Sequence, residues 1–180
     1  MDRRRALKTT TVLLAAPVAT QLAGCAGELK TFRTWKEGQQ AVLDLLFREK
    51  VVQGNPWTLT QVLQHLAQSI EFSMQGFPAL KGAWFRSSIG SAAFAVFNAR
   101  GTMSHTLDDP IPGAPALDAS QPLKVSVQRL LDAMDAFAQF NGTLRPHFAY
   151  GELSKPQYER AHLMHLANHW TQFQAKTAVA

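Results

Sequence analysis

The sequence predicts an all-α fold, an up-down bundle interrupted by one long proline-rich loop, and three observations carry that expectation. Apolar residues recur at spacings of three and four along separate stretches of chain, as the buried stripe of a helix requires. The stretches are closed by glycine, proline or asparagine–glycine punctuation. No run alternates apolar with polar residues as a half-buried strand would, and no internal repeat is present. With 180 residues, 46% of them hydrophobic and 17% charged, the chain suits one domain with its own core.

The first helix is expected from Trp35 to Val52, where Val42, Leu45 and Leu46 form a stripe with Glu49 and Gly54-Asn55-Pro56 ends the run. Thr58 or Thr60 caps the second, whose Val62, Leu63, Leu66, Ala67 and Ile70 share one face up to Gly76-Phe77-Pro78. Residues 79–100 are rich in small side chains and contain Gly82 and Gly90, yet Trp84, Phe85, Ile89, Phe94 and Phe97 call for burial; a helix or broken helix is expected. Pro110, Pro112, Pro115 and Pro122, with Gly113 among them, make residues 108–122 a long irregular connection. Ser120 can cap the next helix, with Val125, Val127, Leu130, Leu131, Met134, Phe137 and Phe140 facing inward before Asn141-Gly142. The last helix is capped by Ser154, carries Pro156 in its first turn where a missing N–H does no harm, and runs to about Gln174. Trp35, Trp57, Trp84 and Trp170 are read as core and helix-packing residues.

The formal charge of +5 is concentrated at one end. Arg3, Arg4, Arg5 and Lys8 face a single acid, Asp2, and without that segment 14 basic and 12 acidic residues remain, scattered without a stripe. Nucleic acid is therefore excluded as a partner. The arginines precede an uncharged, modestly apolar run from Thr9 to Ala23, too short and weakly apolar for a permanent span. Arg3, Arg4 and Arg5 with the apolar residues and lysine behind them resemble a twin-arginine export signal, which implies the twin-arginine translocase as a partner during export. Leu22-Ala23-Gly24-Cys25 resembles the lipobox of bacterial lipoproteins, which implies that Cys25, the sole cysteine, receives the lipid and anchors the chain to a membrane. The expected organisation is a signal peptide over 1–24, a tether over 25–34 and a helical bundle over 35–175, with a periplasm-facing location in the cell envelope. Ala26 in place of an aspartate favours the outer membrane.

Of six histidines, His162, His165 and His169 fall on one stripe of the last helix with Tyr158 and Gln172. His165 and His169 form His-x-x-x-His, and His65 sits among core residues in the middle of the second helix. Three neutral imidazoles suit zinc, nickel or iron and leave a coordination position open. By spacing alone, a hydrogen-bonded core network remains the competing reading.

Trp57 to Glu71, the Pro110-Ile111-Pro112-Gly113-Ala114-Pro115 loop and the run from His165 to Phe173 together resemble domain of unknown function 1569. That resemblance covers about Phe32 to Phe173 and implies a DinB-like four-helix bundle. It also implies a divalent metal on His65, His165 and His169. Where the family usually shows two adjacent histidines this chain has Asn168 before His169, and its His-Pro-x-Phe-Gly appears here as His147-Phe148-Ala149-Tyr150-Gly151, so no role for His147 follows. Ser69, His162 and Gln172 are candidates to orient a ligand or a bound water, although for Ser69 and Gln172 a solvated or packed polar side chain is the first reading. His105 is expected in a loop.

Two functions are compatible with these residues. In one, the ion lowers the pKa of a bound water or thiol, giving a metal-dependent hydrolase or thiol transferase acting on a small molecule. In the other, a noncatalytic envelope protein uses the bundle for binding and the histidines are structural.

Overall fold

The computed structural model describes residues 26–48 and 50–175, so Arg3, Arg4, Arg5 and Cys25 lie outside the described residues. The described chain is mostly helical, with six helices and one two-stranded sheet: α1 (Trp35–Asp44), β1 (Lys50–Val52), α2 (Leu59–Gln75), α3 (Ala83–Phe85), α4 (Ser91–Arg100), α5 (Leu123–Gln139), α6 (Lys155–Trp170) and β2 (Phe173–Ala175). No described helix is long and apolar enough to cross a membrane.

Caps explain most helix starts. Thr34 Oγ1 accepts the Glu37 N–H at 3.2 Å to open α1. Thr58, rather than Thr60, opens α2 in a reciprocal box: its hydroxyl accepts the Gln61 N–H, and its own N–H donates to Gln61 Oε1 at 2.9 Å. The Thr60 hydroxyl instead donates to the Gln121 carbonyl and meets Ser126. In α6 the Ser154 N–H donates to Gln157 Oε1 at 2.8 Å.

Three expectations are corrected. The first helix stops at Asp44 because Lys50–Val52 pairs antiparallel with Phe173–Ala175, Val52 opposite Phe173, and the same pairing ends the last helix at Trp170 rather than Gln174. β-branched Val51 and Val52 fit that ladder, but three residues are too few to show alternation. Pro122, not Ser120, begins α5. Ser120 is drawn away because its N–H and hydroxyl both donate to Asp118 Oδ1, at 2.8 and 2.6 Å.

Helix contacts run from α1 to α5, α5 to α2, α2 to α6 and α6 back to α1. Val42, Val62, Leu63, Leu130, Met134, Phe137, Tyr158 and Leu163 fill the space between them. Arg129 grips Glu71 through two bonds of 2.9 and 2.7 Å, fixing α5 against α2. The proline-rich connection has no secondary structure of its own and is held by three glutamines on one face of α2. Gln61 Nε2 donates to the Leu117 carbonyl, Gln64 exchanges two bonds with the Asp118 backbone, and Gln68 Nε2 donates to the Pro115 carbonyl.

Residues 83–100 do form a helical stretch, broken by one π turn over Arg86–Gly90. Its buried side is Gly90 and Phe94, whereas Trp84 and Ile89 are 72% and 52% exposed, against the expectation that both would be covered. The stretch packs on α6 along one side only, so more than half of its apolar residues are exposed. Residues 26–34 lie on the same part of the fold. The Gly27 N–H donates to the Asn98 carbonyl at 3.0 Å, the Lys30 N–H to the Gly101 carbonyl, and Leu29 and Phe32 are buried.

Candidate metal centre

The middle of α2 and the last two turns of α6 meet where α2 packs on α6, and there the rings of His65, His165 and His169 converge. Nε2 of His165 lies 3.2 Å from Nε2 of His65 and 3.1 Å from Nε2 of His169. Donors on a tetrahedral ion with bonds of about 2.0–2.1 Å stand about 3.3–3.4 Å apart, so the spacing is close to what such an ion imposes. The donor set also fits a cation chemically. A neutral ring nitrogen has one lone pair or one proton in the ring plane, so the His165 nitrogen can complete only one of its two N···N contacts as a hydrogen bond. The remaining nitrogens face like atoms at close range, and a cation at their common point resolves the conflict.

Electrostatics keeps the rings unprotonated, as metal ligands must be. Burial, with a contribution from His105, lowers His65 to about 4. Burial and then His65 and His105 lower His169 to about 2. His165 is pushed well below the usual imidazole range by burial first and the neighbouring histidines second.

Of the residues considered for orienting a ligand or a bound water, Ser69 and His162 line the same cleft as His65 and His165, and among the described residues none of Ser69, His162 and Gln172 hydrogen-bonds a ligand ring. Among the described residues the Ser69 side chain makes no hydrogen bond, and Gln172 Oε1 accepts from Asn55 Nδ2 at 3.1 Å, tying the end of α6 to the Gly54–Pro56 turn. His162 stacks on Tyr158 and meets the edge of Phe137, with its Nε2 enclosed. Nδ1 of His65 and of His169 is likewise enclosed without a hydrogen-bond partner among the described residues.

A cleft of about 530 Å³ opens over His65 and His165. That volume suits a small molecule. Its walls come from the proline-rich connection (Asp109, Ile111), from the α3–α4 stretch (Phe85, Ala93) and from the segment His147–Tyr150. Gly90 lets these last two walls close up, because a Cβ there would strike the Ala149 carbonyl oxygen.

Two histidines in this cleft carried no role in the sequence. His105 stands with its ring centroid 5.0 Å from that of His165, and its Nδ1–H donates to the Thr106 carbonyl at 2.7 Å. That bond leaves a lone pair on Nε2. His147 does the converse: its Nδ1 accepts the N–H groups of Ala149 and Tyr150, each at 3.1 Å, which places the ring proton on Nε2. No helical spacing marks either residue, since loops bring both to the cleft. Replacing His147 by leucine strands two backbone donors and is expected to cost about 1–3 kcal/mol in urea unfolding. His147→Asn, whose Oδ1 can accept in place of Nδ1, should recover most of that loss; equal losses in the two variants would contradict the acceptor role.

The family model described as Protein of unknown function (DUF1569) matches residues 30–176. No curated protein and no solved structure matches the chain.

Proposed function

The chain belongs to the DUF1569 family of proteins of unknown function, and from that premise we propose that it is a divalent-metal protein with a DinB-like up-down four-helix bundle. His65, His165 and His169 would hold zinc, nickel or iron through Nε2, and the activity is that of a metal-dependent hydrolase or thiol transferase acting on a small molecule. The observation that carries this reading is the convergence of three unprotonated ring nitrogens at a cleft large enough for a substrate. The closed cycle of contacts among α1, α5, α2 and α6 supports the bundle.

When bound by these residues, the ion would supply Lewis acidity to a molecule in the cleft that His65 and His165 line. His105, with Nε2 as acceptor, takes a proton from the attacking group; His147, with Nε2 as donor, orients a substrate oxygen. Phe85, Phe148 and Tyr150 exclude water from the walls.

The chain is also read as an exported lipoprotein of the cell envelope, facing the periplasm and more at home in the outer than the inner membrane. Arg3, Arg4 and Arg5, the uncharged run behind them and Cys25 support that placement, and all precede the region the family model matches.

A second reading, a noncatalytic binding protein with a structural ion, is favoured by one observation. Nδ1 of His65 and His169 has no acceptor among the described residues, whereas catalytic metals are commonly tuned through that atom.

Cobalt(II) substitution separates these readings. The wild-type protein is expected to take up one equivalent with the visible bands of a four-coordinate ion, and azide or a small thiol should shift them. Removing an outer partner of a ligand costs roughly 10- to 100-fold in affinity, and His165→Ala, which removes a ligand, should cost more. Equal cobalt content in the two proteins would defeat the assignment, and bands indifferent to azide and thiol would favour the structural ion.

A further inference from the structure

We propose that the outward face of the α3–α4 stretch lies on the lipid bilayer that holds the Cys25 acyl chains, so that the cleft is carried at a fixed height just above the membrane. The proposal rests on the lipoprotein reading and adds to it a docking surface.

The first ground is the shortness of the free tether. Gly27 is fixed at the C-terminal end of α4 by its N–H on the Asn98 carbonyl and by its own carbonyl, which accepts from Arg160 Nη2 at 2.5 Å. Arg160 also donates to Asn98 Oδ1 at 2.6 Å, binding α6, α4 and this segment together. Lys30 then pairs with Gly101, and Leu29 and Phe32 are buried. Cys25 is two residues from Gly27, and two residues reach about 7 Å even when fully extended. A lipid on Cys25 must therefore enter its bilayer beside the end of α4, and a domain tethered that closely has one side against the headgroups.

The second ground is the composition of the neighbouring face. From Ser87 to Ala99 the sequence has no charged side chain. Trp84, Ile89 and Val96 are 72%, 52% and 45% exposed, and Ala83, Ala92, Ala95 and Ala99 are exposed beside them. With the π turn between them, Trp84, Ile89, Ala92, Val96 and Ala99 form one stripe, opposite the buried Gly90 and Phe94. Isolated exposed apolar residues need no explanation, but an uncharged stripe of this length is an interaction surface. Lys81 and Arg86 border it at one end and Arg100 at the other, as lipid phosphates would favour, while a tryptophan suits the interface between headgroup and acyl chain.

The test uses the full chain, as wild type and as Cys25→Ser, mixed with phosphatidylethanolamine–phosphatidylglycerol vesicles that contain a brominated lipid. Bromine quenches tryptophan only at close range, and Trp84→Phe removes the one tryptophan on this face while the other three remain. Quenching is expected in the vesicle-bound wild type and should largely vanish in Trp84→Phe. Trp84→Ser/Ile89→Ser/Val96→Ser in the Cys25→Ser background should weaken vesicle partition by roughly tenfold or more, with unchanged circular dichroism and melting. Equal quenching with and without Trp84 overturns the proposal, as does gel filtration showing a dimer that the triple substitution dissolves, which would assign the face to a second copy. Labelling with radioactive palmitate reports on the lipoprotein reading by itself. Absence of label from wild type defeats lipidation, whereas label on wild type but not on Cys25→Ser, combined with no Trp84 quenching, defeats only the docking surface.

Discussion

Chelating divalent metal from the protein is expected to lower its thermal midpoint by roughly 8–16 °C. An ion bound only by the folded chain stabilises it by about 4 kcal/mol when free metal exceeds the dissociation constant a thousandfold. For a domain of this size about 1 kcal/mol moves the midpoint by about 2–4 °C. The contribution originates at the His165 nitrogen, which otherwise faces those of His65 and His169 at 3.2 and 3.1 Å. In His169→Ala the difference between metal-loaded and metal-free melting should collapse to within a degree or two. Comparing each variant with itself cancels the cost of the cavity left by the missing ring. A wild-type midpoint indifferent to chelation and metal would remove the proposed ion from the energetics of the fold.

Mild acid is expected to destabilise the protein steeply, and two histidines that hold no ion in this scheme make the effect measurable. His162 is lowered to about 3 by burial, and His147 to about 3 by burial first and by His162 and His105 after it. In the unfolded chain both return to the ordinary value of 6.5. Because the folded values lie below the unfolded one, the unfolded chain binds more protons throughout the interval between them. Stability is thus fully present above pH 6.5, falls as the pH drops below it, and levels off only near pH 3. Each group contributes about 1.4 kcal/mol per pH unit in that interval, so the pair should cost roughly 3 kcal/mol between pH 7.5 and 5.5. Urea unfolding at the two pH values checks this directly. His162→Gln should shrink the difference by about 1.4 kcal/mol, and identical pH dependence in variant and wild type would show that this ring is not held neutral by the fold.

Helix α2 was legible because every level of its sequence agrees: a Thr58–Gln61 box at the start, a stripe of Val62, Leu63, Leu66 and Ile70, and Gly76 in a backbone conformation with φ of 114° at the end. The β1–β2 pair was not, because three-residue strands carry no period and their pairing depends on residues more than 120 positions apart. The caps of α5 failed for a local reason, since Asp118 competes for Ser120. At the candidate site, His165 and His169 could be paired by helical spacing and His65 offered as a third imidazole from its place among core residues, whereas choosing a metal over a hydrogen-bonded core network required the family resemblance. Positions such as His105 and His147 depend on how long loops lie over the bundle, and no local pattern encodes that. Trp84 and Ile89 mark the remaining limit: their apolar character was read as a need for burial within the chain, although an apolar side chain can equally be kept for a surface that the chain alone does not contain.

The glutamine ladder of α2 has a mechanical consequence. By clasping Pro115, Leu117 and Asp118, it ties the segment that follows the cleft-lining Asp109–Pro112 to the helix that bears His65. Any breathing of the entrance would then fall to the opposite jaw, which is joined by the Lys81 N–H on the Phe148 carbonyl at 2.9 Å and by the close approach of Gly90 to the Ala149 carbonyl. A molecule too large for the resting aperture would be admitted by displacing that jaw, leaving the geometry at His65 undisturbed.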